Sequence, residues 1–315
     1  MVSRVKQHKI KLDGVVLLDK PIGITSNSAL QKVRKIFNAE KAGHTGSLDP
    51  LATGVLPICF GQATKFSQLL LDANKVYIAK AKLGLVTDTG DTDGKILQDE
   101  ECPNSITKNT ILSALENFRG NIKQVPSMFS ALKHNGVPLY KLAREGIVIE
   151  REARSIHIYE LELQDYKESG EITLLVHCSK GTYIRSLVED IGKTLGCGAC
   201  VTALRRVKTG EFDIKRTHTI DEIISLAAND NHNDILQEVS SLVQNQHDIH
   251  LSDEHASILL KGQKLFLPSL INKNNIDSLS FWHQSLGFLG IGTIADTSSG
   301  QVVSKRLMSI STSNI

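Results

Sequence analysis

The residues of this chain best suited to chemistry fall in a few short stretches. AGHTGSLDPLATGVLP, residues 42–57, holds three glycines, two prolines, a histidine and one acid, Asp49, and has the period of neither helix nor strand. Gly43 and Gly46 permit positive φ or close approach of another backbone, and Pro50 pushes Asp49 toward an extended conformation. A fixed backbone fixes a side chain, and His44, five residues earlier, is placed to line the same cleft. A plain Gly/Pro turn carrying an Asp would satisfy the same pattern. The second stretch is GTYIRSLVEDIG, residues 181–192. Ser186 and Glu189 fit a capping box that starts a helix at Ser186 and leaves Tyr183 and Arg185 side by side in an extended lead-in. If Thr182 is the cap instead, the two side chains diverge. An aromatic ring and a guanidinium beside a carboxylate would make a base-stacking surface and an ion pair.

Other motifs fall short of their chemistry. TGDTDGKILQDE, residues 89–100, fits a calcium loop at Asp91, Asp93, Gly94 and Glu100, but Thr89 replaces the first acidic ligand and the upstream flank reads as a strand. CGAC, residues 197–200, is a single pair with no second for zinc, and it follows a helix rather than opening one. IGKT at 191–194 has Leu187 where a phosphate loop needs glycine, and no GxSxG occurs.

These stretches must be carried by a framework, and 315 residues with 41% hydrophobic content are enough for two globular domains. The net charge of +2 hides a segregation. Arg4, Lys6, Lys9 and Lys11 crowd the start, and seven basic residues lie between Arg119 and Arg154 against Glu145, Glu150 and Glu152, whereas residues 217–260 hold no Lys or Arg. That pattern suits a polyanion bound to one face. Five scattered cysteines argue against a disulfide framework. No signal peptide and no membrane-spanning run is expected, which points to a reduced cytoplasm.

Strands are expected at 13–21, 75–84 (alternating through Val76 and Ile78), 153–163 and 171–180. Helices are expected at 26–37, with Ser26 as N-cap and Leu30, Val33, Ile36 and Phe37 on one face, and at 107–118, with Ile111, Leu112, Leu115 and Phe118 in register. A further helix runs through Leu187, Val188, Ile191 and Leu195. Residues 119–152, broken by glycines and prolines, read as a long, basic, mobile excursion. Residues 217–250 read as an acidic, weakly helical link, and a boundary near 247–250 precedes glycine-punctuated short strands typical of a small β-barrel.

Taken together, LLDKPIGITS, AGHTGSLDPLATGVLPICFGQATKFSQLLL, KVYIAKAKLGLVTDTGDTDG, PSMFSALKHNGVPLYKLAREG, GTYIRSLVEDIG and LRRVKTGEF resemble, in order and across nearly the entire first domain, the bacterial TruB family of pseudouridine synthases. The resemblance implies an α+β fold with a mostly antiparallel central sheet over residues 1–247. GQKL and GFLGIG resemble a PUA-type RNA-binding barrel and place it at 250–315. The implied reaction detaches uracil 55 in the T-loop of transfer RNA, turns it and rejoins it through C5, with no cofactor and no metal. By the family pattern Asp49 is the essential carboxylate, Arg185 its ion-pair partner, Tyr77 and Tyr183 the aromatic pocket, and Tyr77 the candidate acceptor of the C5 proton. His44 matches the residue that enters the T-loop, Leu204 a contact to the target base, and Lys20 a phosphate contact or loop support. The 119–152 segment matches a thumb that clamps the T-arm. The implied protein is a cytoplasmic monomer needing no protein partner. Cys200 departs from the family, where histidine is expected. The rivals are a non-catalytic protein that binds and folds transfer RNA, a synthase for another RNA, and a calcium module.

Overall fold

The computed structural model describes residues 8–228, 235–276 and 278–310; Arg4 and Lys6 of the basic start and the middle of the acidic link lie outside them. Strand β1 (Gly14–Lys20) is a nearly unbroken apolar run, buried at every residue but Asp19, as expected of a strand covered on both faces. Helix α1 (Ser26–Ile36) is capped by Thr25, whose side chain accepts from the Ser28 amide. The cap lies one residue ahead of the expected Ser26, because Ser26 is buried and bonded elsewhere. The Asp49 stretch is more regular than its sequence suggests. Strands β2 (Ala42–His44) and β3 (Ala52–Phe60) pair antiparallel, His44 opposite Ile58, and residues 45–51 between them form the loop.

Next come α2 (Ser67–Asp72), β4 (Lys75–Leu83), the paired short strands β5 (Leu85–Thr87) and β6 (Ile96–Asp99), and α3 (Lys108–Glu116). On β4 the core face is Tyr77, Ala79, Ala81 and Leu83, opposite the Val76–Ile78 face. On α3, Ile111, Ala114 and Leu115 are buried while Leu112 points outward. The 119–152 segment is not one irregular excursion. It holds β7 (Gly120–Gln124), the two-residue strands β8 (Lys133–His134) and β9 (Val137–Pro138), and helix α4 (Leu139–Arg144). Strands β10 (Arg154–Tyr166) and β11 (Glu171–Cys178), helix α5 (Ile184–Leu195), β12 (Ala199–Thr209), β13 (Phe212–Asp213) and helix α6 (Ile220–Ala228) follow. The last part comprises β14 (His247–Leu251), α7 (Asp253–Leu260), β15 (Leu265–Phe266), β16 (Leu279–His283), β17 (Gly287–Asp296) and β18 (Gln301–Leu307).

The fold is α+β. The main sheet runs β1-β3-β12-β4-β11-β10-β7, with β2 added to β3 and β13 to β12. Its pairs are antiparallel except β12 with β3, where Leu204 lies opposite Ala52 and Arg206 opposite Gly54. Helices α3 and α5 cover one face over a core that includes Ala79, Leu174, Val176, Leu187 and Leu204. Alternate residues of β1 and β3 serve two further cores, Val16, Leu18 and Leu56 under α1, and Val15, Leu17 and Val55 under Phe66, Leu70 and Phe288. The second sheet, β14-β16-β17-β18-β15, curls as a half-barrel rather than closing, and β14 is its parallel edge strand.

Candidate active site

Asp49 is held by clamps on both neighbours. On the Leu48 side, the Ser26 hydroxyl donates to the Leu48 carbonyl at 3.0 Å and accepts from its amide at 2.7 Å. On the Pro50 side, the carbonyl accepts from the Gly23 amide at 2.8 Å and from Lys20 Nζ at 3.5 Å. Lys20 is fully buried, and its other bonds go to the carbonyls of Pro21 and Ile24 at 2.8 and 2.7 Å. Of the two alternatives for this lysine, loop support matches the geometry. The ammonium has no exposed surface to offer a phosphate. Gly46 turns the loop at φ +89°, whereas Gly43 keeps an ordinary conformation within β2.

Arg185 reaches the loop from the first turn of α5, which begins at Ile184 and not at Ser186. The capping box does not form. The N-cap is Tyr183, and its backbone is gripped from β7 by Gln124, whose side chain accepts from the Tyr183 amide at 2.8 Å and donates to its carbonyl at 3.0 Å. The Arg185 guanidinium is buried and fully committed. Nη1 donates to the Thr89 carbonyl at 2.7 Å, and Nη2 to the Phe129 carbonyl at 2.8 Å. Nη2 also pairs with Asp49 Oδ2 at 2.9 Å, and Nε lies 3.5 Å from Asp91 Oδ2. One oxygen of Asp49 is therefore held, and among the described residues nothing donates to the other. Asp91, weighed from sequence as a calcium ligand, is instead the buried second anion of this array, with Oδ1 accepting from the Thr89 hydroxyl at 2.6 Å and the Asp93 amide at 3.2 Å.

The wall of the site comes from the sheet. Leu204 of β12 lies opposite Ala79 of β4, and Arg206 opposite Tyr77, so all four side chains share the face that bears Asp49's neighbours. Burial raises the Tyr77 phenol above its usual value; Arg206 pulls it back by charge and hydrogen bond, while Cys178 and Asp49 push it up. Tyr183 is raised by burial as well, against a hydrogen bond from Ser130 and the charges of Arg154 and Arg185. Burial, with Arg206 beside it, lowers His44, which keeps its imidazole neutral at pH 7. Burial likewise raises Asp49, opposed first by Arg185, with Asp91 adding to the rise and Lys20 opposing it. The carboxylate is thus poised above the ordinary range, even though 42% of its side chain meets solvent. Among the described residues, buried polar atoms with no partner gather here too, at His44 Nδ1 and Thr45 Oγ1. Such atoms are costly unless something binds them.

The structure therefore groups Arg185, Tyr77, Tyr183 and Lys20 about Asp49 in one candidate site, with Leu204 beside Tyr77 in the same core and His44 beside Arg206. Ser26, Gln124, Asp91 and Arg206 complete it. Asp91 and Ser26 draw notice in the sequence for other roles, as a calcium ligand and a local cap. Arg206 stands out only as part of LRRVKTGEF, and Gln124 carries no signal apart from its tertiary contacts.

Residues 34–184 match the family model for the N-terminal domain of TruB family pseudouridylate synthases. Residues 185–244 match that for the C-terminal domain of tRNA pseudouridylate synthase B. Fold and site together define a pseudouridylate synthase. The tRNA pseudouridine synthase B of Ectopseudomonas mendocina is 49% identical over 98% of this chain and 99% of its own length. That of Haemophilus influenzae is 50% identical over 84% of this chain and 85% of its own. A solved chain from the Cbf5–Nop10–Gar1 complex superposes with a TM-score of 0.73 at 26% identity, covering 93% of this chain and 84% of that one. The chain belongs to the TruB family.

Proposed function

We propose that this chain, a pseudouridine synthase of transfer RNA, acts on uridine 55 of the T-loop, with Asp49 as the essential carboxylate. The observation that carries the reading is the Asp49–Arg185 pair, in which one carboxylate oxygen is anchored and the other left open on a clamped loop. Uridine must leave its stack to reach this pocket, at about a few kcal/mol. Stacking on Tyr183 or Tyr77 returns roughly 1–3 kcal/mol per base, and the unpartnered His44 and Thr45 atoms offer the flipped nucleotide further contacts.

The open oxygen serves attack on C1′, addition to the base, or removal of a 2′ proton; each requires the ionised form. Uracil then turns and C5 bonds to C1′. At that stage C5 carries both the sugar and its proton. Loss of the proton restores the C5=C6 bond, and the electron pair released from N1=C6 takes up a proton at N1. Tyr77 is our candidate for the C5 acceptor, and Leu204 packs against the base.

The family's thumb corresponds to the part of 119–152 beyond β7, tied to the site where Phe129 accepts from Arg185. Its basic residues supply phosphate contacts to the T-arm and a salt-dependent affinity. We read the unit that begins at β14, at the boundary near 247–250 expected from sequence, as a PUA-like RNA-binding module, and the protein as a cytoplasmic monomer acting without a protein partner or cofactor. Among the described residues no helix is long and apolar enough to cross a membrane. Mapping pseudouridine in a treated, unmodified transfer RNA by carbodiimide derivatisation and reverse transcription tests the assignment. A single stop marking position 55 is expected. Stops elsewhere with none at 55 would contradict it.

A further inference from the structure

Arg206 is 1% exposed, and among the described residues no carboxylate pairs with it. A guanidinium so placed is costly unless its donors are used and its charge serves a purpose. Nε donates to the Val55 carbonyl of β3 at 2.8 Å and Nη2 to the Gly46 carbonyl at 3.3 Å, at the turn of the Asp49 loop. Across β12 and β4 it lies opposite Tyr77, where its charge favours the phenolate. We propose that Arg206 is a positioning residue for Tyr77, holding the phenol oxygen toward the reacting base and joining it to the loop that carries Asp49.

The inference rests on the reading of Tyr77 as acceptor of the C5 proton. A neutral phenol cannot take that proton; it must first release its own to solvent, and the phenolate oxygen then accepts the C5 proton while the C5–H pair closes the C5=C6 bond. Burial, Cys178 from β11 and Asp49 from the loop all disfavour the phenolate, and Arg206 is the cation that opposes them at Tyr77. Besides Tyr77, its charge acts on Lys20 of β1, Lys75 of β4 and His44 of β2, none of them an anion. Its position is what makes a buried, unpaired cation useful.

Two measurements decide the proposal. In protein labelled with nitrogen-15 in its arginine side chains, Tyr77→Phe removes one hydroxyl and is expected to shift a guanidinium resonance; no shift in any of them would overturn the contact. In protein labelled at tyrosine Cζ, Arg206→Gln is expected to move the Tyr77 titration to higher pH. The same change should displace the pH dependence of label release from 5-tritiated uridine, and lower kcat by roughly 10²-fold with KM for transfer RNA unchanged. Arg206→Lys, which keeps the charge, should recover most of the rate. Equal losses in both variants, with Tyr77 titrating as in the parent, would assign Arg206 to packing and overturn the proposal. Should Arg206→Gln not fold, the guanidinium measurement decides. Full label release by Tyr77→Phe would instead remove Tyr77 as acceptor, while the guanidinium shift would stand, so the two failures are separable.

Discussion

At Asp49, one carboxylate oxygen pairs with a buried guanidinium while the group as a whole is held above its ordinary pKa by burial. A carboxyl whose folded pKa exceeds its unfolded one stabilises the fold below the unfolded value and loses that contribution as pH rises through the folded value. At neutral pH the ionised Asp49 is therefore a cost to stability. Asp49→Asn should unfold no earlier than the parent at pH 7 by thermal melt, with activity gone; an earlier melt would mean that pairing outweighs burial. Lys20 obeys the opposite bookkeeping. Burial pulls it from 10.5 to about 8, so its cost is present below about pH 8 and fades as pH rises toward 10.5. Lys20→Met, which removes the donor to the Pro21 and Ile24 carbonyls and the long bond to Pro50, should lower kcat while leaving the salt dependence of RNA binding unchanged. A phosphate contact would show itself as a slope smaller by about 1.

At the scale of elements, the site depends on strands and helices meeting where local signals do not reach. Gly54 on β3 has φ +104°, and a Cβ there would lie 2.1 Å from the Arg206 carbonyl. Gly54→Ala should break the only parallel pairing in the main sheet, at a cost of about 3 kcal/mol or more, measured by denaturant unfolding; a variant with parental stability would contradict this placement. The same dependence explains what was legible in the sequence. The apolar run of β1, the alternation of β10 and the helical period of α5 are local and were readable. The motif loop was readable too, because its residue types are unusual. The start of α5 is left open in the sequence because Ser186 and Thr182 are both plausible local caps, whereas the operative clamp comes from Gln124, 59 residues before Tyr183. Ser26 looked like a cap for the equivalent reason, since its partner Leu48 is 22 residues away. The buried face of β4 is not marked in the sequence, because small residues, Ala79 and Ala81, fill it under α5.

At the scale of the whole molecule, the second sheet is not an appendage. Phe288 and Ile291 of β17 enter the core formed by Val15, Leu17, Val55, Phe66 and Leu70, and Phe288 meets Phe66 edge-on with ring centroids 5.3 Å apart. Lys65 adds bonds to the Leu307 carbonyl and the Ser309 hydroxyl at 3.2 and 2.7 Å. A shared core predicts shared unfolding. Calorimetry should find one transition for the parent, and Phe288→Ala, which removes about 3–5 kcal/mol of packing, should lower its Tm or split it in two. Two well-separated transitions in the parent would contradict the coupling. This joint holds the second sheet in a fixed relation to β1 and β3, the strands beside the Asp49 loop.

The central claim is that one carboxylate, oriented by Arg185 and open on its other oxygen, performs the chemistry. Its most direct test is tritium release from unmodified transfer RNA carrying 5-tritiated uridine, comparing the parent with Asp49→Asn at saturating enzyme. The account predicts release by the parent and a loss of roughly 10³-fold or more in the variant, with RNA binding retained by both. Release by the variant at the parental rate would contradict it.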